Sequence, residues 1–136
     1  MARGDPVRHV VTFAADPASL DAVHEALDVV WRGAPVPDRD RHLFATAVGE
    51  IAANVLTHAG AGARVELVLE ADGGSLRATF VDDGRAVDAA VLEAPMPDDD
   101  ATSGRGIPMA RAASDELRYE RLDGRNRWLV VRRFGP

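Results

Sequence analysis

The chain has 136 residues, no cysteine and a formal net charge of −6. That length fits a single domain, expected over residues 1–136, which buries roughly two-thirds of its unfolded surface on folding. Lack of cysteine excludes disulfides, thiolate-bound zinc and thiol catalysis, and the acidic balance argues against nucleic acid as the main partner, because phosphate backbones are bound by basic surfaces.

Residues Arg8–Ala14 read as a β-branched strand. Asp16-Pro17 then starts a helix with proline in its first turn, whose apolar positions Leu20, Val23, Leu27 and Val30 fall at helical spacing up to Trp31. The stretch Gly33–Pro37 is a breaker, and Asp38 is the expected N-cap of a second helix. That helix has the core face Phe44, Ala47, Val48, Ile51 and Val55, and ends near His58. Two alternating strands follow, carrying Val65, Leu67 and Leu69, then Leu76, Ala78 and Phe80, with a hairpin signal at Asp72-Gly73-Gly74. From Gly84 to Gly104 the pattern fails, and prolines with the acidic run Asp98-Asp99-Asp100 predict a loop. A short helix is expected over Gly106–Ala113. Strands over about Glu116–Arg121 and Arg127–Phe134, joined around Asp123-Gly124, complete the chain. This order predicts an α+β domain with helices on one face of a mostly antiparallel sheet. No charged-then-apolar leader opens the sequence and no apolar run approaches the ~18 residues of a membrane span, so a soluble cytoplasmic protein without membrane attachment is expected.

All sixteen positive side chains are arginine. A Walker phosphate loop needs a lysine at the β/γ phosphates, and kinases of the eukaryotic type need a strand lysine. Any handling of ATP here therefore runs without lysine. On the second helix Glu50, Asn54 and His58 stand at i, i+4 and i+8 and form one polar stripe. The common meaning of such a stripe is a solvated face, but Ala52, Ala53 and Thr57 leave room beside it. An amide oxygen and a carboxylate one turn apart suit a hard cation such as Mg²⁺, and the carboxylate can accept a proton from an attacking hydroxyl. The strand ending in Asp82-Asp83-Gly84 offers a carboxylate to an exocyclic amine and a glycine for a sharp turn; read alone, it is an ordinary turn. Ser103-Gly104-Arg105-Gly106-Ile107-Pro108-Met109 puts two glycines before a short helix, where backbone N–H groups can meet phosphate oxygens. It is not a Rossmann fingerprint, since no strand feeds it and the third glycine is missing.

Together and in this order the three segments resemble the histidine-kinase-like (GHKL) ATPase superfamily, and within it the anti-sigma-factor serine/threonine kinases of bacteria. Ala47–Ala59 looks like that group's N-box, Asp82-Asp83-Gly84 its first glycine box and Gly104-Arg105-Gly106-Ile107 its second; the tail Asp115–Arg133 is similar to its last two strands. The resemblance implies the two-layer α/β sandwich of the Bergerat ATPases and the ligands ATP and Mg²⁺. It implies that Asn54 holds the metal, that Glu50 is the general base, and that Asp82 hydrogen-bonds the adenine amine while Gly84 lets the ring lie close. Gly104, Arg105, Gly106 and Ile107 would close over the phosphates, and residues 85–103 would be the ATP lid. His58 falls at the rim as helix-end structure, and Asn126 is aligned with the adenine pocket. Two departures stand out: Ala86 where relatives carry a second glycine, and Gly49 where they carry serine, for which a close backbone contact is expected.

The implied function is a kinase that binds a sigma factor and phosphorylates an anti-anti-sigma (STAS-type) partner. Only Met1–Val7 precedes the first strand, which favours a stand-alone kinase over a sensor kinase. A homodimer is expected by the same resemblance, with the Arg8–Ala14 strand and the first helix as candidate interface. Two alternatives remain at this stage: a nucleotide-gated protein-binding regulator without kinase activity, and a scaffold that binds no nucleotide.

Overall fold

The computed structural model describes residues 6–60, 62–88, 92 and 106–135. Strand β1 spans Val7–Ala14 and its side chains alternate between half-buried and exposed. Asp16 accepts a hydrogen bond from the Ala18 N–H and caps a short 3₁₀ turn over Pro17–Ser19, which feeds helix α1, Leu20–Gly33. Helix α2 runs Asp38–His58. Its N-cap is Pro37, which makes no side-chain cap bond, rather than the predicted Asp38, which instead lies in the first turn. Acid in the first turn still suits the positive end of the helix dipole. Strands β2 (Arg64–Ala71) and β3 (Ser75–Asp82) form a hairpin. Its turn is held by Asp72, whose Oδ1 accepts from the N–H groups of Gly74 and Ser75 at 2.8 Å each. Helix α3 covers Gly106–Ala112. Strands β4 (Glu116–Leu122) and β5 (Arg125–Arg133) close the chain. Both turn residues between them have positive φ, Asp123 at 53° and Gly124 at 75°. That is the two-residue turn whose twist matches a right-twisted hairpin.

The five strands lie in the order β1-β2-β3-β5-β4. Every pairing is antiparallel, so the expected α+β architecture holds, with a fully rather than mostly antiparallel sheet. The core lies between one face of that sheet and the helices. Val23, Leu27 and Val30 of α1 and Phe44, Val48, Ile51 and Val55 of α2 meet Val65, Leu67, Leu69, Leu76, Phe80, Trp128 and Val130 there, all of them buried. Among the described residues no helix covers the other face.

Two features set where α2 and α3 stand. Arg132 on β5 donates through Nε to Asp40 Oδ1 at 2.9 Å, with both side chains only 16% exposed, and through Nη1 to the Ala113 carbonyl at 3.3 Å. One guanidinium thereby joins the start of α2 to the end of α3. Arg41 lies over the Trp31 ring, 6.0 Å from its centroid, and donates to the Val36 carbonyl; a stacked cation of this kind steadies the α1–α2 connection. Gly49, in the middle of α2, has nothing within 4 Å of where a Cβ would stand among the described residues. The close backbone contact expected there is absent, so packing does not require that glycine.

Candidate functional site

The polar stripe of α2 is placed by the opposite, apolar side of the same helix. Once Phe44, Val48, Ile51 and Val55 face the sheet, Glu50 and Asn54 are turned to the edge of the core and are half-buried, while His58 is exposed. The Nδ2 of Asn54 is buried and meets no hydrogen-bond partner among the described residues. An unmet buried donor costs about 1–3 kcal/mol. Gly106, the first residue of α3, lies against Glu50: a Cβ there would stand 3.2 Å from Glu50 Oε2. Glycine at this point lets α3 approach the acid without displacing it. Ile107 is buried, and its side chain belongs to the core. Gly104 and Arg105 lie outside the described residues, as does all of the 85–103 segment except residues 85–88 and 92.

The Asp-Asp-Gly turn is placed by strand alternation. Leu76, Ala78, Phe80 and Asp82 share the inward phase of β3, so the last of them carries a carboxylate into the position of a core residue and is 2% exposed. Its Oδ1 accepts from the Gly84 N–H and from Asn126 Nδ2, both at 2.8 Å. Asp83 points the other way and accepts from the Arg64 N–H at 2.8 Å. A Cβ on Gly84 would lie 2.2 Å from the Ala59 carbonyl oxygen, and the Arg85 N–H donates to that same oxygen at 3.3 Å. The bare side of Gly84 is therefore filled by the end of α2 and not by open space. In the structure this glycine serves the docking of the turn onto the helix.

The two segments share a cavity of about 240 Å³, bounded by Asn54, His58, Arg85, Ala86, Val87 and Asp88. Ala86, the departure from the glycine pattern, is part of this wall. Glu50 stands one helical turn from Asn54 and is not part of the wall. Asp82 is not part of it either: it lies beneath, joined to the wall through Gly84 and through Asn126, whose Nδ2 also donates to the Arg85 carbonyl at 2.6 Å. Asp82 also borders a shallow depression on the uncovered sheet face, beside Thr12, Arg64 and Glu66. Alternation turns its side chain away from that face, so this contact is one of backbone.

Two residues that the sequence reading did not single out complete the site. Tyr119 donates its hydroxyl to Asn126 Oδ1 and accepts from the Val87 N–H at 3.0 Å. Arg121 donates through Nη1 to the Gly84 carbonyl at 2.6 Å and to Asn126 Oδ1 at 3.1 Å. The signal for them was register. Asp82 pairs with Asn126, and Asn126 with Arg121, so three polar residues fall side by side at one end of the sheet.

Among the described residues no cluster of three or more His, Asp or Glu side chains forms a metal cage. An amide with one unmet polar end, beside an open cavity and one turn from a carboxylate, fits instead a cation that is held mainly by water and by ligand phosphates, as Mg²⁺ commonly is. Oxygen and nitrogen of an amide are interchangeable by a half-turn, so the buried end can present the oxygen.

The family model described as the histidine kinase-like ATPase domain matches residues 13–133. The chain belongs to that family. Among solved structures, the crystal structure of the RsbU and RsbW domains of Rv1364c from Mycobacterium tuberculosis matches this ATPase domain with a TM-score of 0.64 and 21% sequence identity. The match covers 97% of this chain and 33% of that one. At this identity the likeness is one of fold, and the chain spans about a third of that structure's length. No curated protein matches the chain. Membership of the ATPase family agrees with the α+β fold, and it makes ATP the nucleotide to consider in the cavity. No helix among the described residues is long and apolar enough to cross a membrane.

Proposed function

We propose that this chain binds ATP with Mg²⁺ and phosphorylates a serine or threonine of a protein partner, as an anti-sigma-factor kinase acting on an anti-anti-sigma (STAS-type) protein. The observation that carries the reading is the half-buried Asn54 amide, unmet at Nδ2 among the described residues, in the wall of a cavity completed by Arg85, Ala86, Val87 and Asp88, which follow the Asp-Asp-Gly turn. An unmet buried polar atom is costly, and with the amide turned to present its oxygen a phosphate-bound cation is an occupant its chemistry fits. Family membership supports ATP, and the fold shared with a protein that carries RsbU and RsbW domains supports a regulatory protein partner.

In this reading Asn54 is the protein ligand of Mg²⁺, which when bound offsets negative charge on the phosphates. Asp82 accepts from the adenine amine. Both bonds it makes among the described residues use Oδ1, so Oδ2 is the oxygen assigned to the purine. The partner's hydroxyl oxygen bonds to the γ-phosphorus as the bond to the β-phosphate oxygen breaks, and its proton passes to Glu50. Little covalent help is needed in such a transfer, which rests on positioning and on charge neutralisation. Arg105 is assigned, by the family resemblance, to the phosphates. A homodimer and a cytoplasmic location belong to the same reading.

Labelling with radioactive ATP tests it. In the presence of Mg²⁺ and the cognate partner, wild-type protein labels a serine or threonine, and Glu50→Gln labels it ~100-fold or more slowly while still binding ATP, the loss expected for a general base. Equal labelling by both proteins removes Glu50 from the mechanism. Unlabelled partner that nonetheless binds in an ATP-dependent way supports the gated regulator instead.

A further inference from the structure

Asn126 is 1% exposed and sits at the centre of a closed set of hydrogen bonds. A side-chain amide offers two donor protons and one oxygen with two lone pairs. Both protons of Nδ2 are used, on Asp82 Oδ1 at 2.8 Å and on the Arg85 carbonyl at 2.6 Å. Both lone pairs of Oδ1 are used too, by the Tyr119 hydroxyl and by Arg121 Nη1. The orientation of the amide is settled by its neighbours, because a carboxylate and a carbonyl on one side both require the nitrogen there. Asn126 therefore has no hydrogen-bonding group left to offer a ligand directly.

Tyr119 has the complementary position. Its one hydroxyl proton goes to Asn126, and its oxygen receives the Val87 N–H. The ring is held against Trp128, with centroids 4.7 Å apart and planes tilted by 54°. Arg121 ties the Gly84 carbonyl to the same amide oxygen. The turn is thus fastened at Gly84, Arg85 and Val87, and all three ties lead to side chains on β4 and β5. The Asp82 carboxylate is fastened by the same amide.

We propose that Tyr119, Asn126 and Arg121 are positioning residues for purine selection, with the Tyr119 hydroxyl as the joint that couples the Asp82 carboxylate to the Gly84–Val87 turn. The inference rests on the ATP reading above and adds to it how the base end is set. With Oδ1 doubly occupied, Oδ2 is the Asp82 oxygen assigned to an incoming base, and a carboxylate oxygen can only accept. The site thus rewards a purine with a donor at position 6. The reward depends on holding that oxygen still, because hydrogen bonds weaken steeply with misalignment.

The test compares ATP with purine riboside triphosphate, which lacks the 6-amine, by titration calorimetry with Mg²⁺ on wild type and Tyr119→Phe. Wild type prefers ATP. In Tyr119→Phe the preference shrinks by about tenfold, because ATP weakens while the amine-free nucleotide scarcely changes, the size expected for one charge-assisted hydrogen bond. Equal weakening of both nucleotides, or an unchanged preference, overturns the proposal, since a general loosening of the fold cannot distinguish them. Asn126→Asp gives a second arm. Two carboxylates side by side share a proton at low pH, so its preference for ATP is low at pH 8 and recovers towards pH 5.5; a preference at the wild-type level across that range overturns the proposal. Wild-type protein that binds neither nucleotide strikes at the ATP reading itself, whereas wild type that prefers ATP beside an unaffected Tyr119→Phe strikes only at the positioning role.

Discussion

At the base end of the cavity every donor and acceptor of the buried Asn126 is met by protein; at the other end the buried Nδ2 of Asn54 is met by nothing among the described residues. The first arrangement is complete without a ligand and rigid, because each member of a saturated network fixes the next. The second is incomplete among the described residues, and in the proposed reading its cost is recovered when a ligand arrives. In the proposed reading they divide the labour of the site: one end is preorganised to select, the other is held ready to bind charge. Stability should therefore respond in opposite ways to substitution at the two ends.

The sharpest way to break this comparison is at the hinge between them. Gly84→Ala forces a methyl to within 2.2 Å of the Ala59 carbonyl oxygen. Backbone cannot yield there as a flexible side chain would, so a loss of ~3 kcal/mol or more is expected, read as a lowered midpoint in urea. A variant as stable as wild type shows that the turn is not docked on α2 as described.

Next in size is the pair of asparagines. Asn126→Ala leaves several buried groups unmet and should lose ~1–3 kcal/mol or more of stability. Asn54→Ala removes an unmet group and adds a better helix former, so its stability should rise by ~1 kcal/mol. The same change should abolish the stabilisation by ATP–Mg²⁺, which in wild type reaches ~2.7 kcal/mol at a hundred times the dissociation constant. Thermal melts with and without nucleotide read both effects. If the two alanine variants shift stability in the same direction, the contrast between the ends is wrong.

A smaller effect separates helix from site. Gly49 has open space where a Cβ would go, so Gly49→Ala should stabilise α2 by ~1 kcal/mol through helix propensity alone. Nucleotide affinity should not change. A destabilised variant reveals a contact that the space around Gly49 does not show.

The smallest effect is electrostatic and far from the cavity. A hydrogen bond from Arg133, reinforced by the charges of Arg133 and Arg118, holds the Glu116 carboxyl below the usual carboxylate range. A lowered folded-state pKa stabilises fully above the unfolded value and is lost as pH falls through the folded one. The stability difference between wild type and Glu116→Gln should accordingly be small at neutral pH and decline as pH falls below the ordinary glutamate value and through the lowered folded one. ATP binding should be indifferent to the change, whereas a loss of binding extends the base-end network out to the β4–β5 edge.

Much of the fold was legible before any coordinate. Helix α2 was read from its apolar period, and both hairpins from Asp-Gly signals; positive φ at both turn residues favours them at Asp123-Gly124, and Asp72 holds the other turn by its side chain. The site was legible in part. The Glu50–Asn54–His58 stripe follows from helical spacing, and the Asp82 carboxylate stands out as a charge in the inward phase of an apolar strand. Tyr119 and Arg121 were not legible, because their importance depends on which strand β5 pairs with. Pattern alone does not reveal that β5 lies between β3 and β4. The start of α2 was read one residue late, since a proline followed by an acid fits either a cap or a first turn.

What the amino-acid order determined by itself is local: the periods that place helices and strands, the turns that join them, and the absence of lysine that rules out the commoner phosphate loops. What only the tertiary structure decided is pairing at a distance. Asp82 and Asn126 are 44 positions apart in the chain, and Gly84 meets Ala59 across the end of a helix. Hydrogen bonds and steric contact act over a few ångströms in space whatever the separation along the chain. The roles of Asn126 as a saturated joint and of Gly84 as a docking point therefore exist only once the sheet has been assembled.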